Sequence, residues 1–195
     1  MSRLPSFLSI SVLAAVAALP HTSYRHSYST FREESGGISV FADGFPASMA
    51  SHDGYVPVPV AIAFTNKGAS VAFTPESFTL IDAQGNRVPA AGYTELKNAY
   101  PRLEYDRAFM RNFPMTLGLA IIQLPRMASN FYPPTGGGTR IPRVELAAYS
   151  WFTDVIYFPR PPAGLDGVMT LSVAIERGDP IELKFVMDGR ALAKL

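Results

Sequence analysis

Cysteine is absent from the chain. That excludes disulfides, a lipidated cysteine behind a leader, thiolate metal ligands and a thiol nucleophile. Histidine is nearly as scarce, with His21, His26 and His52 the three present. His21 and His26 stand close together but lack the further ligands that a metal site needs. Long-range charge is missing as well: a formal net charge of +1, with no run of Lys or Arg, leaves no field to draw in a nucleic acid. No serine sits in a GxSxG elbow, and Gly136-Gly137-Gly138 lacks the Lys-Ser or Lys-Thr that completes a phosphate cradle. Acidic residues are scattered, with Asp53, Asp82 and Asp166 in Gly-containing turns where turn formation explains them. No cofactor and no metal are expected.

A membrane-spanning run is also lacking. Phe7 to Leu19 is apolar over about thirteen residues, short of the roughly twenty that cross a bilayer. With Arg3 ahead of it and Ala15-Val16-Ala17-Ala18 at its end, the stretch reads as a signal peptide over residues 1–18. The mature chain is then expected to begin between Ala18 and His21, in an exported, periplasmic or secreted protein. Residues 19–37 are polar, without a sustained period, and end in Gly36-Gly37. They read as a flexible leader to a domain spanning 38–195.

What is present is turn chemistry and alternation. Seventeen prolines and fifteen glycines accompany a 48% hydrophobic composition, which favours many short strands over a helical bundle. From Val56 to Thr65 one face carries Val56, Val58, Val60, Ile62 and Phe64, the other Pro57, Pro59, Ala61, Ala63 and Thr65. This is a strand of period two. Pro57 and Pro59 lack donors on the same side, so the start of the strand should pair on one side only. Val71 and Phe73, then Phe78 and Leu80, resume the pattern between turns, and strands are expected at Ile38 to Phe41, Val144 to Ala148 and Thr153 to Phe158. Met169, Leu171, Val173 and Ile175 face Ile181, Leu183 and Phe185 across a Glu176-Arg177-Gly178-Asp179-Pro180 turn, the pattern of a hairpin. The count is about seven to nine strands, as in immunoglobulin-like β-sandwiches.

Residues 91–140 break the pattern. Connections in compact domains run about four to six residues, and this one is about fifty. Thr94 can cap a short helix, Pro101 would interrupt it, and Leu103 to Asn112 can form another. Met115 to Leu124 is apolar but does not choose between strand and helix. Phe131-Tyr132-Pro133-Pro134 followed by the triple glycine reads as an irregular, mobile loop. The aromatics and arginines of this insertion suggest a contact surface, with Phe131 and Tyr132 on its rim and Tyr105 and Phe109 beneath. The plainer alternative is that the insertion's short helices only cap an open end of the sandwich. Trp151, the sole tryptophan, is expected in the core.

The run VPVPVAIAFTNKGASVAFTPESFTLIDAQGNRVP, together with DVIYFPRPP and the final hairpin, resembles exported bacterial immunoglobulin-like domains of lipoprotein and periplasmic type. The resemblance lies in Asn66 ending an early strand and in the run F-x-L-x-D-x-x-G, here Phe78, Leu80, Asp82 and Gly85. It covers about half of the chain and departs from the lipoproteins in having no lipidation cysteine. It implies a binding or assembly role without a catalytic motif. The reading that follows is a non-enzymatic exported β-sandwich that binds a protein or cell-envelope component, with no nucleic acid as partner. Two alternatives are a subunit of a surface assembly and a polysaccharide or peptide hydrolase, for which His52, Asp53, Glu104 and Asp106 are the available groups.

Overall fold

The computed structural model describes residues 24–25, 30–44, 54–68, 70–110, 123–176 and 178–187. The signal-like segment, His21, His26, His52, Asp53 and nearly all of Met115 to Leu124 lie outside them. The described chain is mostly β, with eleven strands. They are β1 (Tyr24–Arg25), β2 (Thr30–Ser35), β3 (Ile38–Asp43), β4 (Tyr55–Phe64), β5 (Val71–Phe73), β6 (Phe78–Ile81), β7 (Arg87–Pro89), β8 (Val144–Leu146), β9 (Ser150–Pro159), β10 (Val168–Val173) and β11 (Ile181–Val186). A five-stranded sheet runs β1-β2-β3-β4-β9, a four-stranded sheet β11-β10-β6-β7, and β5 pairs with β8. Every one of these strand pairs is antiparallel. The count exceeds nine because pieces of two or three residues, such as β1, β5, β7 and β8, are too short to show a period.

β4 is central, as its alternation demands. Its heavy face, Val56 to Phe64 by twos, enters one continuous core with Leu80, Leu171, Leu183 and Phe185 of the four-stranded sheet. Burying each such side chain stabilises the fold by about 1.5–3 kcal/mol. β9 pairs with all of β4, from Tyr55↔Pro159 to Phe64↔Ser150, whereas β3 pairs only as far as Ala42↔Val60. Among the described residues the stretch holding Pro57 and Pro59 therefore has a single strand partner, in keeping with the missing donors. The light face has its own small cluster: Trp151, buried as expected, packs with Phe41, Ala61 and Ala63, and Leu124 lies against it.

Part of the expected leader is sheet. Thr30 to Ser35 pairs along its whole length with β3, and Thr30 and Phe31 are buried. The segment looked unstructured because Phe31 is the lone large apolar residue among polar ones, and Arg32 covers the Phe41 ring from 5.5 Å instead of facing water. The domain thus extends ahead of residue 38. At the end of β3 the chain passes close to β11: a Cβ on Gly44 would lie 1.9 Å from the Val186 carbonyl oxygen.

The Phe78, Leu80, Asp82, Gly85 run has a concrete structure. Phe78 and Leu80 point from β6 into the core. Asp82 then accepts from the Gln84 and Asn86 backbone N–H at 2.9 Å, from Asn86 Nδ2 at 2.9 Å and from the Ala163 N–H at 3.2 Å. Gly85 closes the turn at φ +88, where a side chain would be strained. Burial disfavours the Asp82 charge, but the donors outweigh it and hold the carboxyl below the usual carboxylate range. A depressed acid contributes stability above its unfolded pKa of 3.8 and loses it as pH falls through the folded value. Asp82→Ala is therefore expected to lower the Tm at neutral pH and to flatten its decline on the acid side. Thermal melts between neutrality and strong acid check this, and an unchanged acid slope would contradict it.

Candidate functional site

The insertion begins with two short helices, α1 (Tyr93–Ala99) and α2 (Leu103–Met110). Gly92 rather than Thr94 occupies the N-cap of α1, and Pro101 separates the helices as expected. Leu96 from α1, Leu103 from α2 and Tyr100 between them are buried in the main core. Tyr100 stacks edge-on against Tyr55 of β4 at 5.7 Å and lies 5.7 Å from Tyr157 of β9, which in turn meets Tyr132 at 5.3 Å. These tyrosines join the helices to the sheet. The Tyr55 hydroxyl donates to Glu95 at 2.7 Å, the Tyr132 hydroxyl to the Ala91 carbonyl at 2.9 Å, and the Tyr100 hydroxyl to the buried Asp106 carboxylate.

Residues 124–131 of the insertion, together with Ala91, line the outer edge of β9. The Trp151 N–H donates to the Pro125 carbonyl at 3.0 Å, and the Met127 N–H to the Trp151 carbonyl at 2.7 Å. The Ser129 hydroxyl donates to the Thr153 carbonyl at 2.5 Å, the Phe131 N–H to Asp154 Oδ2 at 2.9 Å, and the Ala91 N–H to the Tyr157 carbonyl at 2.8 Å. An edge that would otherwise invite strand addition is covered along most of its length.

Phe131 and Tyr132 form no rim. Both are 0% exposed: Phe131 sits 6.0 Å from Phe152 and 6.4 Å from Phe78, and Tyr132 lies against Tyr157. The expected order is inverted, because the chain must turn these rings inward to bring residues 125–131 along β9. Tyr105, expected beneath, is instead 68% exposed. The Phe109 side chain lies outside the described residues. The glycine loop is tied rather than loose: Asn130 bridges to Ile141, Asn130 Nδ2 donates to the Thr139 carbonyl at 2.9 Å, and Arg140 Nε donates to the Phe131 carbonyl at 3.3 Å.

Tyr105 therefore remains as the outward group of the expected set. Arg102 lies over its ring at 5.3 Å, and Glu104 beside it is exposed. Of the groups considered for hydrolysis, Glu104 faces solvent, Asp106 is engaged by Tyr100, and His52 and Asp53 lie outside the described residues. Among the described residues no three His, Cys, Asp or Glu side chains gather as metal ligands. Two shallow depressions of about 290 and 200 Å³ share Ser77, Ala174 and Ile175 on another part of the surface, beside an exposed Arg143–Glu176 ion pair at 3.1 Å.

The tyrosine contacts predict an alkaline response. The hydrogen bond to Glu95, then burial, then the Glu95 charge push the Tyr55 hydroxyl from 10.0 up to about 12. Burial, reinforced by the charges of Asp154 and Glu76, also raises that of Tyr132. A raised acid leaves its stabilisation intact below the unfolded pKa, so stability should fall as pH rises from 10.0 toward about 12. Tyr55→Phe should make that fall shallower in chemical denaturation at alkaline pH. An identical slope in wild type and variant would show that Tyr55 does not carry it.

No family model, no curated protein and no solved structure matches this chain.

Proposed function

We propose that this chain is an exported, non-enzymatic immunoglobulin-like β-sandwich that binds a protein or cell-envelope component through the outward face of α2, centred on Tyr105. The observation that carries the reading is the pairing of an exposed aromatic on α2, a helix whose opposite side is anchored, with an arginine just ahead of that helix. Tyr105 is 68% exposed with Arg102 over its ring, while Leu103 and Asp106 of the same turns are buried. Tyr and Arg are enriched at the centres of protein interfaces, and a ring held on an anchored helix loses little freedom on binding. Export rests on the apolar, Ala-ended start of the chain, and the immunoglobulin-like assignment on the Phe78 to Gly85 run within antiparallel sheets that share a core.

Tyr105→Ala is the test. Recovery of the partner from envelope extracts should weaken by about tenfold, about 1.4 kcal/mol, against a control sandwich. Folding stability should change by no more than about 0.5 kcal/mol, as for surface substitutions. Equal recovery by wild type and variant would remove Tyr105 from the contact. Recovery no better than the control would sink the binding reading as a whole.

A further inference from the structure

We propose that the outer face of the four-stranded sheet carries a second binding site, for the carboxylate of an acidic sugar, built on Ser172, Thr79 and Arg87. None of these residues belongs to α2, so the site stands apart from the Tyr105 reading. In β10, Met169, Leu171 and Val173 point into the core, so Ser172 between them points outward. The same alternation turns Thr79 of β6 and Arg87 of β7 outward, because Phe78, Leu80 and Val88 are core. Register brings the three together: Ser172 pairs with Thr79, and Arg87, paired with Ile81, is the diagonal neighbour of Thr79. All three line the depression of about 200 Å³, beside Pro180 of the β10–β11 turn.

Ser172 is the residue that points to a ligand. It is 4% exposed, yet its hydroxyl has no hydrogen-bond partner among the described residues, and it opens into this depression. A buried hydroxyl is costly to leave without a partner, so its place asks for one from outside. Arg87 likewise forms no ion pair or side-chain hydrogen bond among the described residues. A guanidinium and two hydroxyls converging on one depression are donors suited to a carboxylate. The adjoining depression of about 290 Å³ shares Ser77, Ala174 and Ile175 with it, and presents Thr74, Glu76 and the Arg143–Glu176 pair. Those groups offer hydrogen bonds of both senses to neutral hydroxyls, while the two carboxylates repel a second negative charge. One carboxylate flanked by hydroxyls is the chemistry of a uronic acid. A peptide is the poorer match, since β6 and β10 are each paired on both sides and leave no edge for strand addition.

Amide NMR titration of the full chain with digalacturonic acid tests this. Shifts at Thr79, Arg87 and Ser172 should saturate, and the methyl ester of the same disaccharide, which lacks the charge, should bind about tenfold more weakly. Arg87→Gln, a substitution at an exposed position, should weaken binding of the acid by a similar factor. Ser172→Ala should weaken it severalfold while leaving the urea midpoint equal to or above that of the wild type, because it removes a hydroxyl the fold does not use. Absence of saturable shifts, equal affinity for acid and ester, or an Arg87→Gln affinity equal to that of the wild type overturns the inference. So does a Ser172→Ala midpoint well below the wild type, which would show that the hydroxyl serves the fold. Two further probes separate the sources of the negative charge. Inorganic phosphate or acetyl-triglutamate binding as tightly as the sugar would reveal a general anion site or a peptide site and overturn the acidic sugar, whereas weaker binding of both supports it. None of these readouts depends on capture through Tyr105.

Discussion

Phe131→Ala is expected to destabilise the fold by about 3–5 kcal/mol, the cost of deleting a fully buried ring and leaving its cavity. Domains of this size are stable by only about 5–15 kcal/mol, so the variant should stand close to unfolding. The ring lies between Phe78 of the four-stranded sheet and Phe152 of the five-stranded one, so its loss opens the space between the sheets. Its backbone is also fixed, through the N–H bond to Asp154 and the carbonyl bond from Arg140. Phe131→Leu should cost less, because most of the volume remains. Urea denaturation of the three proteins measures the series, and a Phe131→Ala midpoint equal to that of the wild type would show that the ring is not core.

Gly44→Ala is the second large effect. A methyl group there would lie 1.9 Å from the Val186 carbonyl oxygen and within 2.9 Å of its carbon, both backbone atoms that cannot rotate aside. The end of β3 and β11 must then separate, at about 1–3 kcal/mol or more. Gly68→Ala is the control, since its added Cβ would meet only the Phe64 ring at an ordinary 3.5 Å. Surface substitutions of that kind stay within about 0.5 kcal/mol. Equal denaturation midpoints for the two variants would contradict the close approach of these strands.

The sheets were legible where one face is uniformly heavy. Val56 to Phe64 and the β10–β11 hairpin announce themselves, and the pairing of Val173 with Ile181 follows the expected turn. Pro57 and Pro59 even revealed where β4 lacks a second strand partner among the described residues, because a missing donor is a local property with a distant consequence. Other features depended on partners far along the chain. Asp43-Gly44 reads as a turn signal, and nothing nearby reveals that Val186 crowds it. Phe131 and Tyr132, placed beside prolines and glycines, looked like loop aromatics, yet Asp154 and Tyr157 draw them inward. Asp154 was a missed signal: a buried carboxylate in the middle of an apolar strand needs donors, and the Phe131 N–H is one of them. In the candidate site Tyr105 was named but assigned to the wrong layer, since α2 shows too short a pattern for its buried side to be read.

The pairing of β4 with β9 also governs how the chain reaches this state. Thr153 donates its hydroxyl to the Val60 carbonyl across 93 residues of sequence, and every rung of the long β4–β9 ladder, from Phe64↔Ser150 to Tyr55↔Pro159, joins residues comparably far apart. Such a ladder cannot form by local zippering, because the entropy of closing so large a loop must be met before the contacts return it. The β2–β3 and β10–β11 hairpins need no such closure and can form early. Between those events β4 carries its apolar face without a cover, so the slow phase of refolding should coincide with β4–β9 closure, and high protein concentration during that phase should favour aggregation over the native sheet.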